Sequence, residues 1–189
     1  QFGKSGSLDV DAQMAVIILG YTWDHTWKPR LAFEFDYVSG DNHSRDSERN
    51  TFDNLYPTNH IFYGYMDFVS LQNINNYRFQ FNVFPVKNLE LEADVHLIYL
   101  DTAKDNLYGA NQAIKRSTAA GADTHVGNEV DFLAKYKLCA YADITLGYSH
   151  LFTDLSAFPT TKKTKYSVYK CISELAAVLL MFLPFGSAV

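Results

Sequence analysis

Hydrophobic and polar residues alternate along six segments of the chain, with the period of two that is typical of strands with one apolar and one polar face. The segments span residues 9–19, 30–38, 76–84, 89–100, 126–136 and 140–150. Their apolar faces contain no ionised side chain and one polar residue, Asn128. The first segment is assigned an apolar face of Val10, Ala12, Met14, Val16 and Ile18, opposite to Asp9, Asp11 and Gln13. The alternation predicts an all-β protein.

The polar faces of these strands carry the charged residues, three of them cations and ten acids. The candidates for contact with a solute are Arg30, Glu34, Asp36, Arg78, Glu92, Asp94, Glu129, Asp131 and Lys135. Two roles are compatible with each strand's set, either positioning a glycan or forming a solvated ladder of charge. Arg78 stands out, because few cations share its face.

Two architectures produce strands with one apolar face: a soluble β-sandwich, which buries that face, and a transmembrane β-barrel, which turns it to lipid. Strands of 9–11 residues fit a tilted membrane crossing. Short connections at 23–29, 86–88 and 137–139 alternate with long ones at 40–75 and 101–125, as in outer-membrane barrels. Tyrosines also lie near the ends of the apolar stripes, as in an interfacial girdle. These features favour the barrel.

Composition narrows the functional classes further. The net charge of −5 argues against a nucleic-acid partner, and the apolar run at 176–183 is too short for a membrane-spanning helix. The two cysteines are too few for a thiolate metal site, and the six histidines show no ligand spacing on one face. We therefore expect neither a metal nor another cofactor.

Paired carboxylates raise the possibility of an enzyme. Glu92 and Asp94, like Glu129 and Asp131, are two residues apart on one strand face, about 7 Å, a separation that suits an inverting glycosidase. Such pairs recur on four of the predicted strands, which favours a lining role over a single active site. We expect no enzymatic activity.

A clustered series of motifs then resembles the alginate export family of Gram-negative outer-membrane β-barrels. The motifs are Lys28-Pro29-Arg30, Ser39-Gly40-Asp41, Thr51-Phe52, Tyr56-Pro57-Thr58 with His60, Gly64-Tyr65-Met66-Asp67, Val126–Asp131 and Gly147–His150. The resemblance covers about residues 8–153. It implies an antiparallel transmembrane barrel of the outer-membrane type, of which this chain supplies about six strands.

The resemblance also implies a function. An integral outer-membrane channel would pass an acidic polysaccharide such as alginate, or another saccharide, in contact with outer-membrane lipid and with periplasmic export partners. Within it, the aromatic stretch at 55–67 either folds inward as a plug or gate or packs over the barrel rim. The gate candidates are Tyr56, Pro57, His60, Tyr65 and Asp67.

Two departures from the family leave alternatives open. The acidic polar faces do not match a lumen lined with Arg and Lys for a polyanion, which puts alginate in question as the solute. The family pattern stops after Thr153, so we predict a barrel domain at 1–153 and a divergent tail at 154–189, with a short helix or disorder at 173–182. A glycan-acting barrel enzyme and a soluble β-sandwich that binds glycans remain the alternative functions.

Overall fold

The computed structural model describes residues 1–43, 45–57, 62–117, 123–154 and 165–177, with only the backbone described for 154 and 165–177. Among these residues, no helix has the length and hydropathy needed to cross a membrane. The strands are β1 (Phe2–Ser5), β2 (Leu8–Asp11), β3 (Met14–Thr22), β4 (Arg30–Val38), β5 (Glu48–Arg49), β6 (Ile74–Val86), β7 (Leu89–Tyr99), β8 (Leu107–Tyr108), β9 (Ile114–Arg116), β10 (His125–Cys139), β11 (Ala142–Asp154) and β12 (Lys165–Ala177).

Seven of the strands form one antiparallel sheet in the order β12-β11-β10-β7-β6-β4-β3. Every neighbouring pair in this sheet is antiparallel. The sheet is open in the described part of the chain, with β3 and β12 at its edges. Two small sheets, β1-β2-β5 and β8-β9, complete the architecture. The prediction of an all-β protein with an antiparallel main sheet is therefore confirmed, although β2 and β5 of the small sheet pair in parallel.

Short and long connections lie at opposite ends of the large sheet, as the sequence predicted. At one end the chain turns through Asn88, whose φ of 74° is left-handed, and through residues 23–29, which Trp23 and Pro29 close with a 2.9 Å hydrogen bond. The third short turn lies at residues 140–141, beyond the predicted 137–139, because β10 continues through an irregularity in its pairing with β11. The other end carries a first long loop (39–73) and a second long loop (100–124).

Pairing register gives the large sheet two distinct faces. Its polar face carries directly opposed pairs such as Glu34 with Arg78 and Asp94 with Asp131. Its apolar face carries pairs such as Phe33 with Phe79, which alternate with the polar pairs along each strand. The apolar face is largely exposed, whereas much of the polar face is buried.

The first predicted strand was wrong in two respects. Residues 9–19 belong to two strands, and β2 pairs with β1 and β5, so Asp9 and Asp11 do not line the large sheet. In β3, Val16 lies opposite Asp36 and Ile18 opposite Glu34, which puts both on the polar face. Residues 14–19 are apolar at every position, so alternation could not assign their faces.

The tail also differs from expectation. Lys165–Ala177 form strand β12, which pairs with β11 along its whole length, although a helix or disorder was expected from residue 173. The exposed edge of β11 offers backbone N–H and C=O groups, and pairing with them satisfies the backbone of the tail. Residues 178–189 lie outside the described part of the chain. The domain division after residue 153 stays a prediction.

An apolar core joins the two long loops to the end of the large sheet. Its members come from the loops and the adjoining strand ends: Val38, Tyr63, Val69, Leu71, Ile74, Ile98, Leu100, Leu107 and Val126. Beside this core, the fully buried Asn73 donates 3.0 Å hydrogen bonds to the carbonyls of Thr102 and Asn106. Its Oδ1 accepts a 2.9 Å bond from the Thr102 amide. The Asn73 side chain of the first long loop thus holds the second long loop in place.

We expect Asn73→Ala to destabilise the protein by about 2–4 kcal/mol, since it removes three hydrogen bonds and leaves their buried partners unsatisfied. Asn88→Ala is the matched control, because Asn88 also has a left-handed φ, 74° against 52° at Asn73, but is exposed in a turn. Urea unfolding of both variants measures the difference. Equal losses in the two would mean that backbone conformation, not the hydrogen bonds, explains Asn73.

Candidate pore-lining site

Arg78 occupies the centre of the polar face, where three carboxylates surround its guanidinium. Asp94 on β7 accepts from Nη2 at 2.5 Å and from Nε at 3.0 Å. Glu34 on β4 lies 3.4 Å from Nη1. Glu92 on β7 lies 3.8 Å from Nη2. The register produces this arrangement, because β6 lies between β4 and β7 and turns Arg78 to their acidic face.

A second group of contacts extends toward the short connections. Lys135 on β10 donates to Glu92 Oε2 at 2.8 Å. Asn82 on β6 donates from Nδ2 to Glu92 Oε2 and to Glu90 Oε1, both at 2.8 Å. Glu92 therefore links the lysine, the asparagine and the central arginine. Charge and hydrogen bonding are continuous across three strands.

A third group lies toward the long loops and is almost fully buried. Asp36 accepts from Asn76 at 2.9 Å. Asn76 Oδ1 lies 3.2 Å from His96 Nδ1, and His96 Nε2 lies 3.7 Å from Asp131. All four side chains are at most 1% exposed. The contacts bridge β4, β6, β7 and β10 in one line across the sheet.

Residues 62–67 of the first long loop, the inserted segment, cover this buried part of the polar face. The Met66 amide donates to Glu129 Oε1 at 2.7 Å, and Glu129 is fully buried. Tyr65 packs with Leu133 in a small apolar cluster on the same face. The backbone of the segment thus contacts a carboxylate, and its aromatic side chain contacts the sheet.

Glycine is required at one position of the inserted segment. Gly64 has a φ of +99°, and a Cβ there would overlap the Glu129 carboxylate. The Asp67 amide donates to the Gly64 carbonyl at 3.2 Å, and Asp67 itself has a φ of 52°. The turn therefore brings the backbone close to the sheet in a conformation that a residue with Cβ could not share.

Both long loops hold the inserted segment in place. Tyr63 is buried in the loop core, and burial, with smaller contributions from the charges of Asp36 and Glu34, raises the pKa of its phenol. From the second loop, Lys115 lies 3.7 Å over the ring of Phe68. Burial lowers the pKa of Lys115, while the charges of Asp67 and Glu129 oppose that change. A cation is thus positioned between the loop and the sheet.

Most of the predicted pore-lining residues come together in these contacts. Arg30 lies apart from them, with its Nη1 3.5 Å from the Thr22 hydroxyl near the short connections. Of the gate candidates, Tyr65 and Asp67 lie in the inserted segment, whereas Tyr56 is 88% exposed and Pro57 is also exposed. His60 lies outside the described residues.

Several contributors were not among the site candidates from the sequence: Asn76, Asn82, His96 and Lys115, while Gly64 and Met66 appeared only as part of a family motif. Asn76, Asn82 and His96 share the polar face of their strands with charged residues, and this signal could have identified them. Lys115 carried no such signal, because the approach of one loop to another depends on the fold.

The paired carboxylates Glu129 and Asp131 are 0% and 1% exposed beneath the inserted segment. A substrate could reach them only if that segment moved. No group of three or more His, Cys, Asp or Glu side chains in the described ranges is arranged to hold a metal ion. The burial of these two carboxylates therefore fits a sheet surface covered by a loop better than an accessible glycosidase site.

We expect Gly64→Ala to displace the inserted segment, because strain of about 1–3 kcal/mol accompanies a left-handed alanine and the new methyl group overlaps Glu129. Chymotryptic cleavage at Tyr63 and Tyr65 should then accelerate about tenfold in the detergent-refolded full chain. Gly6→Ala is the control, since Gly6 has a φ of +64° but nothing within 4 Å of its Cβ position. Unchanged cleavage in Gly64→Ala would contradict the close contact between Gly64 and the Glu129 carboxylate.

The comparisons with known proteins agree with the motifs. The sequence model described as alginate export matches residues 1–154. Among curated proteins, none matches the chain. The matched range includes the strands β1 to β11 and both long loops. The chain therefore belongs to the alginate export family.

Proposed function

We propose that this chain forms part of an outer-membrane channel that passes a polysaccharide or oligosaccharide. One observation carries the proposal: the large sheet exposes its apolar face and covers part of its charged face with its own loop. A water-soluble sandwich has the opposite arrangement, since its apolar faces pack together and its polar faces meet solvent.

The apolar face supports a position against lipid. Leu146 is 55% exposed, Phe132 53% and Leu31 50%, and each lies on that face. Contiguous exposed apolar surface of this kind marks a membrane or protein interface. No second layer packs on it in the described part of the chain. Aromatic contacts such as the stacked Phe35 and Tyr77 lie toward its long-loop end, as an interfacial girdle requires.

The polar face supports a hydrated pathway. In the proposed channel, Arg30, Glu90 and Lys135 face the passing solute, the nearly buried Glu92 pairs with Lys135, and Arg78 holds the neighbouring carboxylates in place. The inserted segment would act as a plug or gate, with Tyr65 and Asp67 as its moving residues. Alginate is the first solute to test, because the family description names it. Periplasmic export partners remain part of the proposal.

The two alternative functions have less support. A glycan-acting enzyme would need access to Glu129 and Asp131, which the inserted segment covers. A soluble lectin would need a layer over the apolar face. The family to which the chain belongs is one of transport, and a non-enzymatic channel is consistent with that.

Substitutions at two adjacent residues of β6 test whether the apolar face contacts lipid or water. Phe79 lies on that face near mid-strand, and Gln80 lies on the polar face opposite Asp94. We expect Phe79→Arg to cost about 2–4 kcal/mol of folding free energy in lipid vesicles. Gln80→Arg should cost less than about 1 kcal/mol, because a guanidinium beside Asp94 is compatible with a wet, acidic face.

Urea titration of the fluorescence of Trp23 and Trp27 in vesicles measures both changes. If Phe79→Arg were as stable as Gln80→Arg, the assignment of the apolar face to lipid would be wrong. The channel itself is tested by recording the conductance of the full chain in a planar bilayer, where the absence of discrete openings would exclude the proposed function.

A further inference from the structure

Part of the polar face is not covered by the inserted segment. This part, the open half, lies toward the short connections and carries three cations, Arg30, Lys135 and Lys137, and three carboxylates, Glu90, Glu92 and Asp143. Among the residues whose side chains the structure describes, its formal charge is therefore balanced, and the register of β12 adds Glu174, which lies opposite Thr145. In the proposed channel, a solute that enters from the end with the short connections would meet this surface while the plug is in place.

The lysines of the open half lie beside carboxylates. Lys135 donates to Glu92 at 2.8 Å. Lys137 lies directly opposite Asp143 in the pairing of β10 with β11, on the same face. Toward the covered half, Arg78 is surrounded by Glu34, Glu92 and Asp94. Lys135 and Arg78 are thus paired within the protein, whereas Lys137 faces Asp143 across the strands and Arg30 contacts the Thr22 hydroxyl.

Compensated cations do not attract a polyanion. A uronate carboxylate approaching Lys135 would have to replace Glu92 and would also be repelled by Glu90 and by Glu92 itself. If the inserted segment moved away, the newly exposed surface would add Asp36, Asp94, Glu129 and Asp131. Opening therefore makes the surface less favourable for an anionic polymer.

Uncharged hydrogen-bonding groups, by contrast, are available in the open half. Asn82 is nearly buried and donates both Nδ2 hydrogens, to Glu90 and Glu92 at 2.8 Å, so it holds these carboxylates in place. Gln80 and Thr145 are partly exposed on the same face. Carboxylate and amide oxygens accept from sugar hydroxyls, and amide and hydroxyl groups donate to them. These groups suit a sugar without requiring that it be charged.

From this balance of paired charges and free hydrogen-bonding capacity, we infer that the preferred solute is an uncharged saccharide, not a polyuronate. The inference rests on the proposed channel function and specifies its solute class. It departs from the alginate expected from the family, and the ion pair between Glu92 and Lys135 is the feature that carries it.

The experiment uses vesicles that contain the full chain. Swelling rates are compared for malto-oligosaccharides and for oligogalacturonates of the same length, and reversal potentials are measured under a salt gradient in a planar bilayer. The unmodified protein should pass the neutral oligomers faster and should show little preference for anions. Faster passage of the uronates together with anion selectivity would overturn the inference but leave the channel intact.

Glu92→Gln tests whether the ion pair between Glu92 and Lys135 causes the preference for uncharged sugars. The change removes one negative charge and releases Lys135, so uronate passage should rise about fivefold and the reversal potential should shift toward anion selectivity. Glu48→Gln is the matched control, because Glu48 is an exposed residue of β5 outside the large sheet. Its rates should not change. No effect of Glu92→Gln on either measurement would contradict the role given to the ion pair.

Lys135→Gln provides a second route if Glu92→Gln does not fold, since it should shift selectivity in the opposite direction, toward cations. A protein that folds in vesicles but passes neither sugar and carries no current would exclude the channel, and the inference with it. The outcomes for the solute class and for the channel are thus separate.

Discussion

Burying a guanidinium on a β-sheet requires carboxylates from the strands on either side, and Arg78 obtains them from β4 and β7. This requirement determines the register of β6 against β4 and β7. A slip of one residue in β6 would move Arg78 to the apolar face and leave Glu34 and Asp94 buried without their cation. The alternation of faces across the central strands is therefore tied to one set of ion pairs, and the loops pack on a surface that these pairs define.

The cover of the polar face depends on backbone as much as on side chains. Glu129 accepts from the Met66 amide, and Gly64 leaves room for its carboxylate. Elsewhere, Asn73 fastens the second long loop through backbone carbonyls and an amide. Such contacts are strong because their polar groups are shielded from water. They also respond to small changes, since a methyl group at residue 64 has no space to occupy.

The same ion pairs link stability with selectivity. Glu92 stabilises Lys135 and Arg78, and in doing so it compensates the charge with which they would attract an anion. A lining built for a polyanion needs cations that remain unpaired until the solute arrives. The described part of this face instead pairs Lys135 with Glu92 and surrounds Arg78 with carboxylates, so in the proposed channel a sugar would be recognised by hydrogen bonding.

The sequence by itself determined the strands whose two sides differ in polarity, and with them most of the polar residues that meet around Arg78: strand β4 begins and ends as predicted, at Arg30 and Val38. It could not assign the faces of β3, where both sides are apolar, nor could it separate β2 from β3. Only the tertiary structure decided that residues 62–67 lie over Glu129 and that Lys115 reaches the same place. Periodicity records which side of a strand is polar, but the approach of two loops depends on contacts between residues that are distant in the chain.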